Sequence, residues 1–361
     1  MKKIFSLLLM GGFLIMFGAF VSEEPMNDGP YVFEQGKKLL VRWVEDSVAK
    51  KKSLSQKNYS KFKSKDETYF NPKYLFSDYK NEDLKTFDFQ GVEKIAALSD
   101  IHGQYGLFIK ILRNNGIIDD QNQWIFGEGH FVIVGDVFDR GDKVQECLWF
   151  IYQLEQQAAA AGGKVHYLLG NHEVMVLTGD LRYIHDKYRA TEQLFQMPYW
   201  QIFGPESVLG AWIRTKPITM SINDIQFVHG GLSPALAASK IDATEINSIF
   251  KDQIIDAVPA DSIYNNPKIK FLDGSQGPIW YRGYFRDSTF TESQLDAILS
   301  YFDKNHIVVG HTSQYRVESH FNSKVILVDS SIKVGQSGEI LLIENGEYFI
   351  GNADGDRRPL E

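Results

Sequence analysis

From Lys94 onward, short apolar runs rich in Val, Ile and Leu recur, and each ends in a small cluster of Asp, Asn, His and Gly. The runs KIAAL (94–98), FVIVG (131–135), KVHYLL (164–169), IQFV (225–228), HIVVG (306–310) and KVILV (324–328) predict buried strands. Between the early ones the period changes to that of a helix. In 104–115, Leu107 stands four before Ile111 and Phe108 four before Leu112, and Gly116 supplies a stop. Asp142 predicts the next start, with Gln145 completing a capping box, apolar Val144, Leu148 and Ile151 following, and Gly162–Gly163 closing the helix. Strand, loop, helix, strand is the rhythm of an α/β protein, whose functional loops follow the carboxyl ends of the strands. The polar clusters stand at those ends.

The rest of the chain is less regular. Lys2 and Lys3 precede an uncharged apolar run from Ile4 to Val21, after which Ser22, Glu23, Glu24 and Pro25 turn the composition polar. That layout predicts a secretory signal over 1–22 and an exported, periplasmic or secreted protein, with a retained membrane anchor as the alternative. Residues 23–90 form an N-terminal extension without firm periodicity. Its stretch from Ala49 to Lys65, with seven lysines, reads as a solvated or partly helical surface segment in preference to an anionic-surface patch. Around 180–220 aromatic and helix-like residues interrupt the strand rhythm, which predicts an insertion shaping access to the site. Residues 351–361 read as a C-terminal tail.

Composition narrows the class. Hydrophobic residues at 43% and charged residues at 23% give an ordinary globular mixture and argue against long disorder or a multispanning membrane protein. The formal charge of −8 becomes more negative once Lys2 and Lys3 are removed, so nucleic acid is not an expected partner. The one cysteine, Cys147, has no partner for an internal disulfide, and its place between Val144 and Ile151 reads as core packing.

Five clusters carry candidate chemistry. Ser-Asp-Ile-His-Gly (99–103) sets Asp100 and His102 two apart past a strand, where both side chains can face one point. Gly-Asp-Val-Phe-Asp-Arg-Gly (135–141) offers Asp136 as a bridge between cations, Asp139, and Arg140 near a helix start where anions bind favourably. Gly-Asn-His-Glu (170–173) puts an amide oxygen, an imidazole and a carboxylate in succession. His229 in VHGGLSP and His311 in VVGHTS each follow an apolar strand. Singly, each has a plainer reading as a turn, a surface ion pair or a satisfied structural histidine. Together they supply Asp, His, Asp, Asn, His and His at strand exits, a mixed nitrogen and oxygen set suited to transition metals.

In this order DIHG, GDVFDRG, GNHE, HGGLSP and GHT resemble the phosphoprotein phosphatase branch of the calcineurin-like metallophosphoesterases, over about 94–312. The stretch Thr178-Gly-Asp-Leu-Arg-Tyr183 is similar to that of the Shewanella-like protein phosphatase subgroup. The resemblance implies two packed mixed sheets flanked by helices, with a dinuclear metal site at the strand ends of a catalytic domain spanning 91–350. It implies Asp100 and His102 on one metal, Asp136 bridging, and Asn171, His229 and His311 on the other, the ions being Mn, Zn or Fe. Two such cations lower the pKa of a shared water for in-line attack on phosphorus. His172 would act as general acid, oriented by Asp139, while Arg140, Asn171 and, from GPIWYRG (277–283), Arg282 would hold the phosphate. Glu173 reads as support for these residues. The sequence departs from the family at Ser99, where many relatives carry glycine, and in VDSSIKVGQSG (328–338), so serine/threonine preference does not carry over.

The expected reaction is phosphomonoester hydrolysis on a phosphorylated protein or a small phosphomonoester. Tyr183, Trp280, Tyr281 and Tyr284 offer aromatic walls that favour phosphotyrosine. A hydrolase of nucleotides or dinucleoside polyphosphates is the alternative. A catalytically silent metal-binding module is a further one, and the presence of Asp139, Arg140 and His172 argues against it. The membrane would be a partner only if the N-terminal segment is retained.

Overall fold

A computed structural model describes residues 25–55, 57–59, 62, 69–75, 87–256 and 265–361. The expected signal or anchor over 1–22 lies outside the described residues. Among those described, no helix is long and apolar enough to cross a membrane.

Two six-stranded sheets pack face to face. The first contains β5 (Lys94–Leu98), β6 (His130–Ile133), β7 (Lys164–Tyr167), β13 (Glu339–Glu344), β14 (Glu347–Asn352) and β15 (Arg357–Pro359), in the order β15-β14-β13-β5-β6-β7. The second contains β4 (Asp88–Phe89), β8 (Thr219–Ile222), β9 (Ile225–Val228), β10 (His306–Val309), β11 (Glu318–His320) and β12 (Val325–Leu327), in the order β11-β12-β10-β9-β8-β4. All six apolar runs are strands. Along β5, Ile95 and Ala97 enter the core between the sheets, while Ala96 and Leu98 face the other way into the helix-covered core. Burial on both faces is why these runs read as continuous rather than alternating. The inter-sheet core joins Ile95, Val132 and Leu168 to Met220, Phe227 and Val308.

Parallel pairing sets the direction of the site. β5, β6 and β7 run parallel, as do β9, β10 and β12, so their exit loops collect at shared ends. Helices α1 (Tyr105–Asn114) and α2 (Val144–Ala160) connect the first set. The helix-spaced residues Phe108, Ile111 and Leu112 of α1 are buried, and so is Cys147 of α2, whose thiol burial pushes to a higher pKa. The expected capping box at Asp142 does not form. The cap is Lys143 without a side-chain bond, and Gln145 is buried, donating Nε2 to the Pro30 carbonyl at 2.7 Å. Trp149 Nε1 donates to the same oxygen at 2.8 Å.

Those bonds dock a third sheet against α2: β1 (Asp28–Gln35), β2 (Lys38–Glu45) and β3 (Val48–Ser55), each antiparallel to the next. The lysine-rich segment therefore begins as an edge strand rather than a helix. Lys50, Lys51 and Lys52 are exposed on it, and charged side chains keep such an edge from pairing further. The short helix α3 (Asn171–Leu177) is followed by α4 (Asp186–Phe195), α5 (Tyr199–Ile202) and α6 (Val208–Ile213). The stretch from 351 is not a free tail. β14 continues to Asn352, and β15 pairs with it.

Candidate metal centre and active site

Six non-glycine residues at the loop turns adopt the left-handed conformation: Asp100, His102, Asp136, Asp139, Arg140 and His311. Such φ values are costly for residues with a Cβ, and here they turn donor atoms inward just past the strands. Close approach also requires glycine. A Cβ on Gly170 would fall onto the Asp136 carboxylate, and one on Gly135 would lie 2.6 Å from His229 Nδ1.

Asp136 is the centre. Its Oδ2 lies 3.2 Å from His229 Nε2, 3.6 Å from His102 Nε2 and 3.9 Å from His172 Nε2. Asp100 Oδ1 is 3.7 Å from His102 Nε2, and Asp100 Oδ2 accepts from the His311 backbone N–H at 2.9 Å, joining β5 and β10 exits. Asn171 Oδ1 stands 3.1 Å from His229 Nε2. The other five residues expected as ligands are thus gathered around the buried Asp136 carboxylate.

The protonation pattern suits cations. His102 Nδ1 donates to the Phe138 carbonyl at 2.6 Å and His229 Nδ1 to the Val134 carbonyl at 2.7 Å, which leaves each Nε2 pointing at Asp136. Burial lowers the pKa of His229, but the Asp136 carboxylate outweighs it and raises the ring to about 9, so the positive charge wanted there is a proton or a metal. His311 is held well below the usual histidine range by burial and by His229 and Arg282. Its neutral Nε2 is buried with no hydrogen-bond partner, as a ligand atom would be. Burial alone would raise the Asp136 and Asp100 carboxyls, yet the surrounding imidazoles hold both below the ordinary range. His102, Asp136 and His172 form one compact donor group, and Asp136, His229 and His311 another.

His172 has a second attachment. Its Nδ1 bonds Asp139 Oδ2 at 2.6 Å. Burial disfavours its imidazolium, but Asp136 and Asp139 more than compensate and raise its pKa. Arg140 lies between the rings, Nε 3.4 Å from His102 Nε2 and one terminal nitrogen 3.4 Å from His172 Nε2. Tyr183 is 43% exposed, its carbonyl accepting from the Arg140 N–H at 2.9 Å and its ring centroid 5.3 Å from that of His172. Arg282 approaches from the other side, one terminal nitrogen donating to the His311 carbonyl at 2.6 Å. Trp280 packs edge-on to His311 at 5.7 Å.

Two expected aromatic walls are not walls. Tyr281 and Tyr284 are 4% and 5% exposed, and the Tyr284 hydroxyl donates to the Leu232 carbonyl at 2.7 Å while accepting from the Leu232 N–H at 2.9 Å. They brace the loop after His229. Glu173 accepts from four backbone N–H groups, those of Asp136, Val137, Phe138 and Gly170, at 2.7–3.1 Å, locking the two central loops together. Asp329 went unread in the sequence. It is buried at the exit of β12, and burial together with the Asp100 charge raises its carboxyl to about 7. It accepts from Ser313 Oγ at 2.6 Å, and its place after the apolar run KVILV is the signal that marked the other clusters.

The fold and the gathered donors define a metal-binding phosphoesterase centre, and residues 93–315 match the family model described as calcineurin-like phosphoesterase. The chain belongs to that family, as a phosphatase, and groups within it with the Shewanella-like protein phosphatases. It is 42% identical to the cold-active protein-tyrosine phosphatase of a psychrophilic Shewanella species, with a TM-score of 0.87 covering 93% of this chain and 99% of that one. It is 30% identical over 254 residues to Shewanella-like protein phosphatase 1 of Plasmodium berghei, covering 67% of each. A serine/threonine phosphatase of Saccharomyces cerevisiae, at 16% identity and a TM-score of 0.51 over 78% of this chain and 87% of that one, shares the fold.

Proposed function

We propose that the chain is a metal-dependent protein phosphatase that hydrolyses phosphotyrosine. The observation that carries this reading is the convergence of His102, His229, His311, Asp100 and Asn171 on Asp136, with His172–Asp139 and Arg140 alongside. Two divalent cations would be held by Asp100, His102 and Asp136 and by Asp136, Asn171, His229 and His311, and when bound they supply Lewis acidity and an activated water. The mixed donor set accepts Mn, Zn or Fe.

The protein's own groups divide the remaining work. Arg140 and Arg282 present planar guanidinium forks from opposite sides to the phosphate oxygens. Asn171, whose Nδ2 contacts Met175 Sδ at 3.7 Å, supplies its amide oxygen to the metal side. His172, held by Asp139, donates its Nε2 proton to the departing oxygen. The exposed Tyr183 ring beside His172 offers a face for an aromatic leaving group, and the similarity to a solved protein-tyrosine phosphatase points the same way.

Chelation followed by restoration of Mn, Zn or Fe is the test. Activity should vanish with the metal and return with at least one of them, and phosphotyrosyl peptides should turn over faster than phosphoseryl peptides or diadenosine tetraphosphate. Faster phosphoserine hydrolysis would overturn the substrate preference and leave the metal reading intact. Full activity after verified stripping would overturn the metal reading.

A further inference from the structure

On the outer side of Trp280 and Arg282 a groove of about 740 Å³ opens, running past Arg286 and Phe290. Its inner wall is shared with the candidate active site, since Arg282 bonds the His311 carbonyl and Trp280 packs on the His311 ring. The four-residue helical turn Gly283–Arg286 carries the chain from Arg282 to Arg286, a rise of about 6 Å. The two arginines therefore stand about one helical turn apart on the same groove wall, with Arg282 against His311.

Their partners differ. Arg282 is engaged by His311, whereas the exposed Arg286 side chain makes no hydrogen bond or ion pair among the described residues. The groove's two carboxylates both have work of their own. Asp273 Oδ1 accepts from Trp280 Nε1 at 3.2 Å, and Asp287 Oδ1 accepts from the Thr289 N–H at 2.8 Å and from Thr289 Oγ1 at 2.6 Å. Arg286 is left as the cation of the wall with no hydrogen bond or ion pair among the described residues, and Phe290 lines the same wall.

We propose that Arg286 binds a carboxylate of the substrate chain, an Asp or Glu about two to four residues from the phosphorylated residue. The inference rests on the protein-phosphatase reading and adds sequence selectivity to it. An extended peptide advances about 3.3 Å per residue, so a phosphoresidue at the metal centre brings a side chain two or more positions away over Arg286. A guanidinium fork matches a carboxylate in two parallel hydrogen bonds, and the Trp280 and Phe290 rings flank the peptide's path. Arg140 does not compete, since it lies between His102 and His172.

The test compares two phosphotyrosyl peptides, one with Glu and one with Gln at every position within four residues of the phosphotyrosine, on the wild-type protein, Arg286→Gln and Arg286→Lys. Wild-type protein should favour the Glu peptide in kcat/KM, chiefly through KM. Arg286→Gln should lower the Glu-to-Gln ratio about three- to fivefold, the size of an exposed charge pair, and Arg286→Lys should recover part of it. The ratio cancels any general damage to the site. An unchanged ratio in Arg286→Gln, or no preference in the wild type, overturns the role of Arg286. Hydrolysis of p-nitrophenyl phosphate with neither peptide turned over overturns the protein-phosphatase reading, and this inference with it.

Discussion

His172→Asn is expected to lower kcat on alkyl phosphates about a hundredfold or more, with bound metal near the wild-type level. The bond from His172 Nδ1 to Asp139 sets the ring with Nε2 toward the centre, and the neighbouring carboxylates favour the protonated form a general acid needs. Leaving-group dependence separates this role from general damage. p-Nitrophenolate departs with little need of a proton, so its ester should lose much less, roughly tenfold. Proximity alone admits another role, because His172 groups with His102 and Asp136 as a set of donor atoms. If His172 were a metal ligand, the same variant would lose metal and would lose activity on both esters alike. Metal analysis of the purified variant beside the two rate constants decides between them.

Glu173→Ala is expected to be the most destabilising change at the centre, at about 4 kcal/mol or more. It would leave four buried backbone N–H groups without their acceptor, each costing about 1–3 kcal/mol less whatever relaxation recovers. Those bonds also set the distance between the loop of Asp136 and the start of α3, so metal affinity should fall with stability. Urea unfolding of the two proteins measures the first effect, and metal titration the second. Glu173→Gln keeps an acceptor oxygen but introduces an amide N–H among four donors, so it should fall between wild type and alanine. An alanine variant as stable as the wild type would mean that the N–H groups find other partners.

The candidate site was legible because each of its parts is local. A buried parallel strand writes a continuous apolar run, and its exit must turn at once, so Asp100, Asp136, Asn171, His229 and His311 stand beside unmistakable strands. Which side chains share a wall is not local, and there the reading failed. Tyr281 and Tyr284 flank Arg282 in sequence but point into the core, where backbone groups of the loop after His229 claim the Tyr284 hydroxyl. Asp329 obeys the same strand-exit rule and stands in a segment that departs from the family pattern. The N-terminal sheet was hidden for a different reason. β3 is exposed on both faces over Val48–Ser53, so it has no period-two signal, and the docking of β1 depends on Gln145 and Trp149 far along the chain. The same Gln145 defeated the expected capping box, a tertiary bond winning over a local one.

The most direct test of the central claim is anomalous scattering from crystals of the protein loaded with manganese. Two peaks should appear, flanking the Asp136 carboxylate, one bordered by Asp100 and His102 and the other by Asn171, His229 and His311. Metal-replete, active crystals with no anomalous peak at Asp136 would contradict it.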